Sequence, residues 1–266
     1  GGTGFLGTEI KKQLNNKKKY KIFSCSRKNG VDLRNYKLSN IFFNKIKPDI
    51  VIHCAAHVGG IQYDAKYPIE IYEDNLKIGT NLIKLITKNN VKKLINIMPN
   101  CAYPHKFDKY IEKNWWDGEL HSSIIMYAMP RKIMETTCFV YLKKYNFHPL
   151  HVVLPNLYGP GDHFEPVKSH VLGALINKIV KAKMNNIKEV EIWGSGKPIR
   201  EWLYVKDAAN AIYQIVNNVE IFKKNEIINV GTESGVSVKN LAETIKKITK
   251  WNGKFIYNRK MQDGSK

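Results

Sequence analysis

The chain begins Gly1-Gly2-Thr3-Gly4-Phe5-Leu6-Gly7, with glycine at every third position, and runs straight into a helical segment at 8–16. Each glycine has a separate reason to be there. One makes a tight turn, one lets a pyrophosphate approach the backbone, and one lets the helix pack closely on a sheet. The helix that follows presents unpaired N–H groups and the positive end of its dipole to the same phosphates. Gly1, Gly4, Phe5, Leu6 and Gly7 are therefore candidate cofactor-binding residues. A turn of this kind normally follows a buried strand, so the reading expects an N-terminal strand that these residues lack, and expects the sequence to be a piece of a longer chain.

Working outward, short apolar runs at 20–24, 49–53, 94–98, 148–154, 190–193 and 227–229 read as strands. They alternate with helical periodicity at 8–16, 36–45, 69–89, 127–144, 167–183, 206–217 and 238–249. Such alternation builds βαβ units and a parallel sheet. The expected fold class is α/β, a Rossmann-type doubly wound parallel sheet with a smaller C-terminal substrate-binding lobe. The expected division is 1–160 for the nucleotide-binding domain and 161–266 for the lobe, partly interleaved with it.

Lysine and arginine number 43 against 23 acidic residues, so the net charge is 43 − 23 = +20. That balance admits nucleic-acid binding, but the lysines are scattered and no nucleic-acid module is visible, so a lysine-rich surface is the preferred reading. No apolar run reaches membrane-spanning length. Cys25, Cys54, Cys101 and Cys138 have neither metal-ligand nor disulfide-framework spacing. No metal is expected, and a reducing cytoplasm is.

The second strand ends where an adenosine ribose lies in such sheets. An acidic residue there prefers NAD, whereas this chain has Ser24-Cys25-Ser26-Arg27-Lys28. A guanidinium fork at Arg27 suits a 2′-phosphate, so the expected cofactor is NADP. Asp32 and Leu33, shortly after, are candidates to flank the adenine.

Several segments, in order along the whole chain, resemble the GDP-L-fucose synthases. His53-Cys54-Ala55-Ala56-His57-Val58-Gly59-Gly60-Ile61 is similar to their A-A-x-V-G-G-I run, followed by Tyr67-Pro68 and Asn75. Cys101-Ala102-Tyr103-Pro104, Asn156-Leu157-Tyr158-Gly159-Pro160-Gly161-Asp162 and Ser169-His170-Val171 match further stretches. So do Trp193-Gly194-Ser195-Gly196-Lys197-Pro198-Ile199-Arg200-Glu201, Asn229-Val230-Gly231-Thr232 and Asp263-Gly264-Ser265.

The resemblance implies a GDP-sugar substrate, an NADP-dependent epimerase and reductase in one site, and a homodimer pairing through the helices at 69–89 and 127–144. Cys101 and His170 match the pair that moves protons on the two faces of the sugar, the thiolate abstracting and the imidazole returning. Tyr127 matches the proton donor of the reduction, with Asn100 beside it. Ala55, Ala56, Pro155, Asn156 and Leu157 match cofactor positions; Lys178, Trp193, Arg200 and Asp263 match the nucleotide-sugar site.

Two departures stand out. Arg131 holds the place of the family lysine one turn after Tyr127, with Lys132 about 100° round the helix from that face. Pro99 holds the place of the family hydroxyl and offers no side-chain donor, and Pro130 lies beside the active face. They leave open an epimerase with weak reduction, or an impaired NADP and sugar-nucleotide binding protein.

Overall fold

The computed structural model describes residues 1–16, 19–165, 169–218, 220–223 and 226–260. Four parallel strands form its main sheet in the order β1 (Ile50–His53), β2 (Lys93–Pro99), β3 (His148–Leu154) and β7 (Ile227–Asn229). Ile50 faces Lys93 across the first ladder, and Ile95 faces Leu150 across the second. All-parallel strands need both faces covered, and their sequences run apolar without alternation. β3 shows this, buried at every residue from Pro149 to Leu154.

The two faces carry different helices. On one, α1 (Phe5–Asn15) and α7 (Val205–Asn217) pack Leu6, Ile10, Leu14 and Ile212 against Ile95 and Val152. On the other, α4 (Pro68–Lys88) and α5 (Ile125–Leu142) pack Ile78, Leu82, Met134 and Cys138 against Leu94. α2 (Tyr36–Ile46) adds Phe43 to that layer, and the short α3 (Ile61–Lys66) precedes α4. α7 and β7 lie beyond residue 160, so the late part of the chain returns to the first sheet.

The smaller lobe has its own core. α6 (Val171–Met184) and α8 (Val238–Thr249) cover a parallel pair, β5 (Glu189–Trp193) and β9 (Lys254–Asn258), through Leu175, Ile179, Ile192, Ala242 and Trp251. A three-stranded sheet, β4 (Asn156–Tyr158), β6 (Ile199–Tyr204) and β8 (Gly235–Ser237), packs against α7 and α8.

The expected strand at 20–24 is not one. Residues 19–25 have no ladder partner among the described residues, where β1 pairs with β2 alone; both segments line a groove of about 480 Å³. The expected helix at 167–183 begins in part outside the described residues and is seen from Val171. β4, β6, β8, β9 and α3 were not expected; β4 and β8, at three residues each, are too short to carry a period, and α3 is under two helical turns.

Candidate active site

The glycine turn is as tight as its spacing demands. The Gly2 N–H donates to the Cys25 carbonyl at 3.3 Å, and Gly4 N–H donates to Gly1 O at 3.0 Å. A Cβ on Gly1 would overlap the Cys54 backbone, and one on Gly7 would overlap Gly1 O. Gly4 caps α1 without a side-chain acceptor, and no acidic residue stands in the first turn, so the N–H groups of Phe5 and Leu6 meet the first turn's opening uncapped. These residues fit a pyrophosphate.

Arg27 is exposed in a single 3-10 turn, 27–29, where the Ser26 hydroxyl accepts from Asn29 N–H. Its placement fits a 2′-phosphate partner. Asp32 is already engaged: Arg34 reaches it through Nε and Nη2 at 3.0 and 2.6 Å, which holds its carboxyl below the usual range. Leu33 spends its side chain in the core with Ile78 and Leu82. Both side chains expected to flank the adenine are therefore committed within the protein.

Arg34 also starts a chain that the sequence did not reveal. Its Nη1 donates to Asp74 Oδ2 at 2.6 Å, the same oxygen meets His57 Nδ1 at 2.9 Å, and His57 Nε2 meets the Tyr63 hydroxyl at 2.9 Å. The chain ties Arg34 and Asp74 to Tyr63 of α3.

At the C-terminal ends of β1 and β2 the reactive groups gather. β2 runs to Pro99 and turns through a 3-10 segment, 100–102, that presents Asn100 and Cys101. Tyr127 enters from the first turn of α5. Pro130 lies inside that helix, in its second turn, where its missing N–H frees the Met126 carbonyl without ending the helix. Burial, with Asp64 adding to it, pushes the Cys101 thiol up to about 12. Burial also raises the Tyr127 phenol; the Arg131 charge lowers it but does not win. In the substrate-free site both groups hold their protons. The thiolate expected of Cys101 is not its resting form.

Arg131 is 4 % exposed and sits with its guanidinium carbon 5.5 Å from the centre of the Tyr127 ring. Nη2 donates to Ala55 O at 3.0 Å and Asn75 Oδ1 at 3.4 Å, and Nη1 donates to His53 Nε2 at 3.2 Å. It thus clamps the end of β1 and the backbone of Ala55, beside Ala56. Lys132 points elsewhere, as its angle on the helix predicts. It is buried between Trp115 and Trp116, 4.6 and 4.3 Å from their rings, and donates to Trp115 O.

The substrate lobe supplies the rest. Pro155 is buried, and Asn156 and Leu157 open β4, with Asn156 Nδ2 donating to Glu201 O at 3.2 Å. His170 is the N-cap residue of α6; its surroundings and His163 lower its pKa while Asp162 opposes them, so it rests as neutral imidazole. The charges that act on Cys101 are those of Asp64, Arg131 and Arg200; those that act on His170 are Asp162 and His163. Lys178 Nζ stands 4.3 Å over the Trp193 ring and donates to Glu191 O at 3.0 Å, while Trp193 Nε1 donates to Glu191 Oε1 at 2.6 Å. Arg200 Nη1 donates to Ile199 O at 2.8 Å, and the neighbouring Glu201 carboxylate accepts from Thr232 and Glu233. Asp263 lies outside the described residues. Among the described residues no cluster could hold a metal, and no helix is long and apolar enough to cross a membrane.

With that geometry in hand, known proteins give the comparison. Residues 1–231 match the NAD dependent epimerase/dehydratase family. The chain is 34 % identical over 226 residues to the probable GDP-L-fucose synthase 1 of Oryza sativa subsp. japonica, covering 84 % of this chain and 68 % of that protein. It is 30 % identical to the GDP-L-fucose synthase of Dictyostelium discoideum over 99 % of this chain and 82 % of that one. A GDP-L-fucose synthetase of Naegleria fowleri solved with NADP bound superposes with a TM-score of 0.85, at 28 % identity, over 99 % of this chain and 81 % of that chain. The chain belongs to the NAD dependent epimerase/dehydratase family, with GDP-L-fucose synthases among its relatives.

Proposed function

We propose that this protein converts GDP-4-keto-6-deoxy-D-mannose to GDP-L-fucose with NADP as cofactor. The observation that carries the reading is the convergence of Cys101, Tyr127 and Arg131 at the strand ends next to the glycine turn, in a chain whose relatives carry that name. Gly1, Gly4, Phe5, Leu6 and Gly7 would hold the pyrophosphate and Arg27 the 2′-phosphate. When bound, the reduced nicotinamide supplies hydride.

The chain's own residues do the remainder. Carbons flanking a ketone are acidic enough for side chains to move their protons. Cys101 and His170 serve the two faces of the ring, and Tyr127, protonated at rest, gives its proton to the alkoxide oxygen. Asn100 stands next to Cys101 to orient the ketone. Lys178, Trp193 and Arg200 receive the GDP, the two cations pairing with phosphate and the indole packing on the base.

Two further readings belong here. Ile69 and Tyr72 on α4 and Ile125, Phe139 and Val140 on α5 are exposed, an apolar face suited to pairing with the same face of a second copy. Four free cysteines suit a reducing cytoplasm. The functional test is turnover with NADPH and GDP-4-keto-6-deoxy-D-mannose, following NADPH absorbance and sugar-proton exchange in deuterated water together. Both signals support a fucose synthase. Exchange alone points to an epimerase, and neither signal removes the reading.

A further inference from the structure

Asp64 belongs to no part of the mechanism above, yet it sits among the groups that perform it. It is 6 % exposed in the first turn of α3, a helix packed against the 122–124 segment that leads into Tyr127. Its charge acts on both the Cys101 thiol and the Tyr127 phenol. The backbone N–H of Gly59 donates to Oδ1 at 3.2 Å. Among the described residues that is the one hydrogen bond its carboxyl makes, and it has no ion pair.

A buried carboxylate without a cation is costly unless its oxygens accept hydrogen bonds. The one charge that acts on it is that of His57, whose ring nitrogens already meet Asp74 and Tyr63. Burial raises the Asp64 carboxyl to about 6, with the Gly59 bond and the His57 charge acting against it, so it is mostly ionised at neutral pH. An ionised carboxylate can only accept. Whatever completes Oδ2 brings a donor, and Asp64 lies close enough to Cys101 and Tyr127 for its charge to act on both.

Resting on the substrate reading above, we infer that Asp64 is the residue that recognises the sugar hydroxyl on the carbon next to the ketone, accepting its hydrogen bond at Oδ2. The hydroxyl shares its carbon with a proton that the Cys101/His170 pair moves, so one contact both selects the sugar and fixes the face it presents. The His57–Tyr63 hydrogen bond steadies α3 from the neighbouring turn. A site built to accept a hydroxyl discriminates strongly against the analogue that lacks it, because the carboxylate is then left unpaired.

The test measures, by calorimetry on NADP-loaded protein, the binding of GDP-4-keto-6-deoxy-D-mannose and of the same GDP-sugar lacking that hydroxyl. Wild-type protein and Asp64→Asn are compared; asparagine keeps the size and can still accept from Gly59 N–H. Wild type should favour the hydroxylated sugar by about ten- to a hundredfold. Asp64→Asn should lose most of that preference while binding the deoxy sugar and NADP within about twofold of wild type. Equal loss on both sugars assigns Asp64 a structural role and overturns the inference, and so does an unchanged preference. Wild-type protein that binds neither sugar overturns the substrate reading itself, a result separable from either of those.

Discussion

Arg131→Lys keeps the charge that the resemblance asks for and removes the geometry that the structure uses. The guanidinium spans Ala55 O at 3.0 Å, His53 Nε2 at 3.2 Å and Asn75 Oδ1 at 3.4 Å, all in a setting 4 % exposed. A compact ammonium on a shorter reach cannot span a fork of that width. At least one charged hydrogen bond is lost, and a buried acceptor is stranded with it. Each such loss costs about 1.5–3 kcal/mol. Asn75 is partly compensated, because its Oδ1 still accepts from His57 N–H at 3.1 Å. The expected destabilisation is about 2–4 kcal/mol, which in a chain of this size lowers Tm by roughly 5–15 °C. Catalysis should gain little. The positive charge beside Tyr127 is retained, and burial, not the identity of the cation, dominates the phenol. The assay pairs a thermal melt with single-turnover NADPH oxidation. A Tm within about 1 °C of wild type would refute the clamp, and so would a reduction rate that rises a hundredfold with no loss of stability.

Three other outcomes follow from the same electrostatics. At rest Cys101 is a thiol and His170 a neutral imidazole, so the base is identified by which variant stops proton loss: if Cys101 abstracts, Cys101→Ala abolishes deuterium exchange while His170→Ala leaves wash-in at the abstraction step, and the reverse pattern reverses the roles. His53 is held neutral, its pKa pushed well below 6.5 by burial, while the unfolded ring titrates at 6.5, so stability present above that pH is lost as pH falls below it, by about 1.4 kcal/mol per unit. Asp64, raised to about 6, returns some of that below pH 6, so urea midpoints should fall most steeply from pH 6.5 to 6 and flatten below. Burial lowers Lys132 to about 8 between Trp115 and Trp116; tryptophan fluorescence should titrate near that pH, and the titration should vanish in Lys132→Met.

The fold was legible wherever period and length agreed. The 238–249 helix and the 148–154 and 227–229 strands match residue for residue; the helix carries a full amphipathic period and 149–154 is buried throughout. The 20–24 segment has the composition of a strand, but a strand also needs a partner, and composition does not supply one. In the site, motif order and resemblance marked Cys101, Tyr127 and Arg27 as candidates; the fold sets Cys101 just after β2, Tyr127 in the first turn of α5 and Arg27 in an exposed 3-10 turn. Leu33 was not, since an apolar side chain next to a ligand and one in the core read alike. Asp64 escaped because no local pattern marks a carboxyl as buried, and the Arg34–Asp74–His57–Tyr63 chain because its first link joins residues 40 apart. Arg131 reads in sequence as a departure from a lysine; only the distances show what it holds.

The central claim is that one pocket separates proton movement from reduction, with Tyr127 serving the second alone. Tyr127→Phe, mixed with NADPH and GDP-4-keto-6-deoxy-D-mannose in deuterated water, tests it most directly. The account predicts that deuterium still enters the sugar beside the ketone at a rate within about fivefold of wild type, while NADPH oxidation falls by about a hundredfold or more. Loss of both signals together, or an oxidation rate left intact, would contradict it.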